Sequence, residues 1–444
     1  MADYLTDPAS QGLLRVFAAI RDRTDPAVLR LALAEHCGTA RANGIVSWLE
    51  SHVEKLSLEN LSNKAIRLVE TKFLRDPQPP FYKSDEQLRP DMWTNSVCAM
   101  GLWKFCFGVG DQRQTSMIGA EDGDLYIRIR QRWAKVCDWL RHEASRLQYR
   151  FPSGLRCDGE TEGVANYYAL SMYVFVMSHF ARGAEAVAPF PRAAVHALLA
   201  GRLADAVDLP GARGWWPTKQ LKDRCAVTNR DGGASGPAGQ LLGLPDVGAT
   251  AAAIAALGDW LASLESAGRK PPSWSLLEGV SVAVDQGLRN LVEAAHPAGG
   301  WSRLSQQFVG TEPRPDVLVT CDCVYALDRF ADRFFVCAKR QVDEGCDFVW
   351  RQSGLTDLPW GDGLASPEHD LLVQRVAQAC GVLFRARPGV YHSAVRDGIE
   401  WLVSSGVIDW TNPVLRMRDV WALYAFVEVL RRQAQWRMRE NCLL

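Results

Sequence analysis

A chain of 444 residues, 48% of them hydrophobic and 23% charged, has the balance of an ordinary globular protein. Its formal net charge of −1 supplies no global field to draw in nucleic acid or an anionic membrane surface, so neither is expected as a partner. The cations Arg431, Arg432, Arg437 and Arg439 gather at the end of the last helical segment, where positive charge suits a helix C-terminus.

Twelve cysteines are scattered through apolar helical segments, and Cys98, Cys106, Cys137 and Cys380 read as small buried hydrophobes rather than as a disulfide framework. Met1 to Asp7 is polar and no short apolar core comes after it, as a signal peptide would need. The longest apolar stretches, such as Tyr167 to Val176, read as too short to span a bilayer. Cys442 stands third from the end, whereas a prenylation box needs its cysteine fourth. The expected location is therefore the cytoplasm.

Helical periodicity recurs in twelve segments, near residues 59–73, 92–108, 125–147, 161–181, 191–206, 246–264, 276–295, 316–330, 333–352, 368–386, 391–405 and 417–439. No β-alternation competes with them. Pro90-Asp91, Pro245-Asp246 and Pro315-Asp316 each precede one of these segments, because proline cannot continue a preceding helix and aspartate caps the next one. Asp419 opens a similar segment without the proline. The Asp-led segments alternate with amphipathic ones, as inner and outer helices of a ring would. The fold expected is all-α: residues 59–444 form an (α/α)6 toroid, a barrel of helical hairpins, and residues 1–58 add a helical extension. The long connection over residues 208–244, which contains GARGWWPTKQ and NRDGGASGPAG, is too rich in Gly and Pro for a helix and reads as a functional loop.

An internal repeat runs through the second half. Gly287, Leu291 and Gly299-Gly300-Trp301 form its cleanest copy; Gly345, Phe348 and Trp360 form a second, and Gly398, Trp401 and Trp410 a third. Gly44 and Trp48 open a degenerate copy near the N-terminus. The phrase QGLRNLVEAAHPAGGW resembles the QW-type repeat of squalene and oxidosqualene cyclases, and is similar to hairpins of class II diterpene cyclases and protein prenyltransferase β subunits. The resemblance covers about residues 245–430 and implies the toroid, with tryptophans stapling outer helix to loop. It specifies fold more strongly than reaction.

The resemblance also implies where chemistry would sit. Class II cyclases protonate an alkene or epoxide with a D-x-D-D-T box, and the matching segments here are Asp246 to Thr250 and Asp316 to Thr320. Both keep the first Asp and the Thr, and both lose the middle acids. Asp322 lies one helical turn beyond the place of the missing acid on the same face. It reads either as a displaced acid or as a polar residue bonded to a neighbouring helix. Asp322, Asp316 and Asp246 are thus the catalytic candidates.

Val319-Thr320-Cys321-Asp322-Cys323-Val324 is similar to the H-T-C-Y-C-L pattern that brings a zinc-ligating His to prenyltransferases, with Val319 in place of the His. Cys321 and Cys323 point apart on a helix, so no metal site is expected. No cofactor is expected either, except Mg²⁺ should the substrate be a diphosphate. Glu121-Asp122-Gly123-Asp124 reads as a solvated turn or as the place for that ion, and His369-Asp370 as a capping cluster or a group at the cavity mouth.

Asp91, Trp93, Asn95, Asp419 and Trp421 open inner helices. Together with Trp216, Thr250, Trp301, Thr320 and Trp360 they are the candidates for lining a pocket with aromatic rings and polar contacts. Two functions remain open. One is the binding or processing of an apolar isoprenoid-type molecule in the central cavity, with acid-initiated cyclisation as its reaction. The other is a catalytically degenerate toroid that binds a protein partner.

Overall fold

The computed structural model describes residues 34, 38–40, 42–44, 58–75, 92–107, 123–149, 166–183, 192–203, 211–217, 244–266, 273–305, 308, 314–353, 360, 369–386, 388–412 and 414–441. The chain is all-α. Its helices are α1 (Leu58–Leu68), α2 (Met92–Phe107), α3 (Gly123–Arg146), α4 (Tyr167–Gly183), α5 (Arg192–Ala200) and α6 (Val247–Ser266). They continue with α7 (Trp274–Glu293), α8 (Val317–Phe330), α9 (Lys339–Gln352), α10 (His369–Ala386), α11 (Pro388–Ser404) and α12 (Met417–Asn441). Each expected helical segment from residue 59 onward corresponds to one of these. Most of the proposed extension over residues 1–58, with Trp48, and most of the 208–244 connection lie outside the described residues, as do Asp91, Glu121 and Asp122.

The even-numbered helices pack on one another in sequence. Helix α2 meets α4, α4 meets α6, α6 meets α8, α8 meets α10, α10 meets α12, and α12 returns to α2. Helices α3, α7, α9 and α11 each pack on the even-numbered helices beside them, α5 packs on α4 and α7, and α1 packs on α12. The residue pattern explains the division. Helix α7 buries Leu276, Val280, Ala283, Val284, Gly287, Leu288 and Leu291, a single stripe at three- and four-residue spacing. Helix α6, VGATAAAIAALGDWLASLES, instead buries small residues on most faces, so neighbours can approach from both sides.

Helix α6 also corrects one expectation. Residues 247–265 are long and apolar enough to cross a membrane by length and composition, yet 83% of that window is buried inside the protein. Its hydropathy belongs to a helix enclosed by other helices.

Local structure refines the sequence reading at three places. Helix α9 begins at Lys339 rather than near residue 333, because a 3-10 turn over Asp332–Phe334 ends in Phe335 at φ 55°, a left-handed residue that stops helical continuation. Helix α12 begins at Met417, so Asp419 lies inside its first turn rather than before it. A π-helical turn, Val69–Phe73, extends α1 and is closed by the Leu74 amide donating to the Val69 carbonyl at 3.0 Å. That turn buries Lys72, whose Nζ lies 2.8 Å from Asp419 Oδ1.

Strand structure among the described residues is a two-residue antiparallel pair, Trp216–Pro217 with Pro245–Asp246. It sets Trp216 opposite Asp246 and fixes the entry to α6.

Candidate functional site

Each of the six even-numbered helices lines a cavity that opens to solvent and holds about 90 Å³ of water-accessible space. Most of the wall is apolar or aromatic: Met100, Met172, Phe175, Val382, Trp421 and Tyr424 among others. Asp322 is its carboxylate. Helix α8 places Asp322 there by register, since Val319, Thr320 and Cys323 on its other faces are buried.

Asp322 accepts a hydrogen bond from the hydroxyl of Tyr168 on α4. Burial pushes its carboxyl up to about 7; the Tyr168 bond opposes that rise, and the negative charges of Asp316 and Asp246 add to it. Tyr168 is itself held well above the usual phenol range, first by burial and then by Asp322, so it stays a donor. Near neutral pH the cavity therefore holds a part-buried carboxyl group that is substantially protonated. Desolvation raises Cys321 and Cys323 as well, which keeps both thiols protonated.

Aromatic rings run along the wall from this carboxyl. Tyr168 lies 5.1 Å from Trp93, Trp93 lies 6.4 Å from Trp421, and Trp421 meets Tyr424 edge-on at 5.7 Å. Lys104 sits over the Tyr424 ring at 4.1 Å and pairs with Glu428 at 2.6 Å, both side chains being nearly inaccessible. A buried cation beside a buried anion neutralises its field locally.

Asp246 and Asp316 have different tasks from Asp322. Asp246 accepts from the Ala249 amide at 2.7 Å, capping α6, and from Arg303 Nε at 2.8 Å. Asp316 accepts from the Val319 amide at 3.1 Å to cap α8, and Arg375 approaches it at 3.8 Å. Neither is among the cavity-lining residues. Asp419 reaches back to the Arg416 amide at 2.8 Å, one half of a capping box, while its other oxygen meets Lys72. Burial raises its carboxyl above the ordinary value, against the pull of Lys72.

The remaining tryptophan and threonine candidates build a repeated staple. The indoles of Trp216, Trp301 and Trp360 donate to the carbonyls of Leu198, Leu291 and Val349, at or near the ends of α5, α7 and α9, at 2.7–2.8 Å. Thr250 and Thr320 accept the backbone amides of Trp216 and Trp301 at 3.0 and 2.9 Å. All five are buried, and none lines the cavity.

The repeat glycines complete the staple across neighbouring units. A Cβ on Gly345 would fall 2.7 Å from the Trp301 ring, and one on Gly398 2.6 Å from the Trp360 ring. Each glycine thus receives the tryptophan of the preceding unit rather than its own.

Of the sequence candidates, Asp322 and Trp421 reach the cavity, with Trp93 packed behind Tyr168 and Trp421. Asn95 is fully buried on α2, away from the wall. Cys321 lines the wall whereas Cys323 does not, and no cluster of three or more His, Cys, Asp or Glu groups is found among the described residues.

Sequence reasoning missed Tyr168, Lys104, Glu428 and Gln378. For Lys104 and Glu428 a signal existed: each is a lone charge within an otherwise apolar stretch, MWTNSVCAMGLWKFCF and VWALYAFVEVL, and such charges are rarely buried unless paired. No protein-family model matches the chain, and no curated protein is detectably similar to it in sequence.

Proposed function

We propose that residues 59–444 form a closed (α/α)6 toroid of the terpene-cyclase and prenyltransferase kind, preceded by a helical extension. In this reading the central cavity binds an apolar isoprenoid-type molecule and Asp322 donates a proton to it. The closed series of contacts among the even-numbered helices supports the architecture. The observation that carries the function is a protonatable carboxyl, poised at about 7, facing an aromatic-walled cavity.

The proton transfer breaks the O–H bond of Asp322 and leaves a carboxylate, which the Tyr168 hydroxyl stabilises by its hydrogen bond. The cation formed on the substrate faces the π-clouds of Trp421 and Tyr424, which attract positive charge. Loss of a proton from the cyclised product back to the carboxylate restores Asp322. A carboxyl at about 7 is well populated in its neutral form but is a weak donor, so a basic oxygen, as in an epoxide, suits it better than a bare alkene. The described cysteines are free thiols, in keeping with the cytoplasmic location taken here.

Incubation of the purified protein with farnesyl, geranylgeranyl and squalene-type compounds, followed by extraction and mass analysis, tests this function. A bound or converted isoprenoid is expected, with conversion lost in Asp322→Asn. The proposal fails if none of these compounds is bound or converted, or if Asp322→Asn leaves conversion intact. A stoichiometric protein partner in place of a small molecule would favour the scaffold function instead.

A further inference from the structure

Among the residues of the cavity wall, Asp322 and Lys104 carry a charge. Lys104 is paired with Glu428 at 2.6 Å, so its charge is cancelled where it stands. Asp322 differs. It accepts the Tyr168 hydroxyl through Oδ2 and makes no ion pair among the described residues. The charges that reach it, Asp316 and Asp246, are both negative. Once ionised, it is a carboxylate without a cation of its own in a largely apolar wall, and a charge drawn out of water is costly unless it is paired.

The rest of the wall favours the same kind of partner. Tyr168, Met172 and Phe175 follow one another along one face of α4, with Trp421 on α12. Aromatic faces attract cations. Two rings of the wall already hold one: the Arg385 guanidinium lies 4.9 Å from the centre of the Tyr325 ring, and the Lys104 ammonium 4.1 Å from that of Tyr424. The opening to solvent and about 90 Å³ of water-accessible space suit a compact head group.

We infer that the cavity is a binding site for an apolar ammonium, a compact organic cation whose charge pairs with the Asp322 carboxylate beside the Tyr168 ring. This ligand class goes beyond the isoprenoid function above and does not rest on it. An anion is repelled by Asp322, and a neutral molecule of the same shape forfeits the ion pair. An ammonium held there also keeps Asp322 ionised, so it silences the carboxyl as a proton donor.

Binding then follows the ionisation of Asp322, whose carboxyl is raised to about 7. Around it, burial keeps Tyr168 on α4 and Cys321 and Cys323 on α8 protonated. Asp246 and Asp316, before α6 and α8, meet Arg303 and the Arg375 of α10, while Lys104 and Glu428 pair between α2 and α12. A quaternary ammonium does not itself titrate. Its affinity should therefore rise up to about tenfold per pH unit below pH 7 and level off above it.

Calorimetric titration of the full chain at pH 8 with three probes tests the inference. They are choline, its neutral analogue with a tert-butyl group in place of trimethylammonium, and the anion tert-butylacetate. Choline is expected to bind about tenfold more tightly than the neutral analogue, a preference of about 1.4 kcal/mol, with the anion weakest. In Asp322→Asn choline and the neutral analogue should bind alike, and retained binding of the neutral analogue shows that the variant is folded. The pH profile of the parent chain needs no variant: choline affinity should rise toward pH 7 while that of the neutral analogue stays level.

Equal affinities for choline and its neutral analogue in the parent chain would overturn the inference. So would a preference that survives in folded Asp322→Asn, a choline affinity independent of pH, tighter binding of the anion, or no binding of choline at all. A chain that converts isoprenoids without preferring choline loses this inference alone, and one that prefers choline while ignoring isoprenoids keeps it.

Discussion

Asp246 and Asp316 occupy one environment and Asp322 another, although all three belong to even-numbered helices or to the residues that cap them. At the helix starts the carboxylates accept backbone amides and meet arginines, so their charge is used in place. Six residues further along α8 the same side chain meets a tyrosine and a largely apolar wall, and its proton is retained to about pH 7. Helix starts offer unsatisfied N–H groups that stabilise an anion; helix interiors offer none. Depth along the helix therefore separates structural carboxylates from a reactive one.

The tryptophan staples are where that division can be broken most severely. Trp301 is fully buried, donates to Leu291, and has its own amide bound by Thr320. Trp301→Ala should cost about 3–5 kcal/mol through the cavity left against Gly345 and the lost hydrogen bond. The urea midpoint reads this directly, and a loss below about 1 kcal/mol would mean that the staple holds little.

The charge pair in the cavity wall comes next. Lys104→Met removes the cation paired with the buried Glu428 and should cost about 3–5 kcal/mol, near the lower end because Arg329 also feels the Glu428 charge. The double variant Lys104→Met with Glu428→Leu should recover most of that loss, since an apolar pair of similar volume leaves no uncompensated charge. A double variant as unstable as the single one would assign Lys104 a packing role over the Tyr424 ring instead.

The helices and the staple glycines were legible in the sequence because both arise from periodicity and from backbone needs within one segment. Gly287, Gly345 and Gly398 stand out at fixed places before their partners are known. Which tryptophan each glycine receives was not legible: Trp301 packs on the glycine of the following unit, and that pairing depends on how neighbouring hairpins are stacked. The register of Asp322 was readable from the displaced box, because a four-residue shift keeps a side chain on one helix face. Its partner Tyr168 lies 154 positions away, and helix-to-helix contacts over such separations leave no trace in local pattern. Trp216, Trp301 and Trp360, suggested as pocket lining, instead serve the staples, because an indole N–H reaching a buried carbonyl and a ring filling a glycine notch look the same in sequence as a ring facing a ligand.

The finest test of the difference between helix start and cavity wall is the pH dependence of stability. An aspartate ordinarily titrates near 3.9, and Asp322 is raised to about 7 in the folded chain. Between those values the folded protein holds a proton that the unfolded chain has released, so the unfolded state binds fewer protons. Stability contributed by this group is then full below about pH 4, falls as pH rises, and is lost above about pH 7, with a slope of up to ~1.4 kcal/mol per pH unit in between. Asp322→Asn removes the titration and should flatten that part of the profile. The variant should match the parent near pH 4 and exceed it in stability near pH 8, because the amide never has to ionise inside the cavity. Urea denaturation of both proteins at several pH values between 4 and 8 reads the slope, and superimposable profiles would show that the Asp322 carboxyl is solvated like any surface acid. The helix-start acids give the contrast its meaning: Asp246 and Asp316 add negative charge that raises Asp322, so converting either to Asn should lower the pH at which the parent profile levels off, and by less than Asp322→Asn changes it.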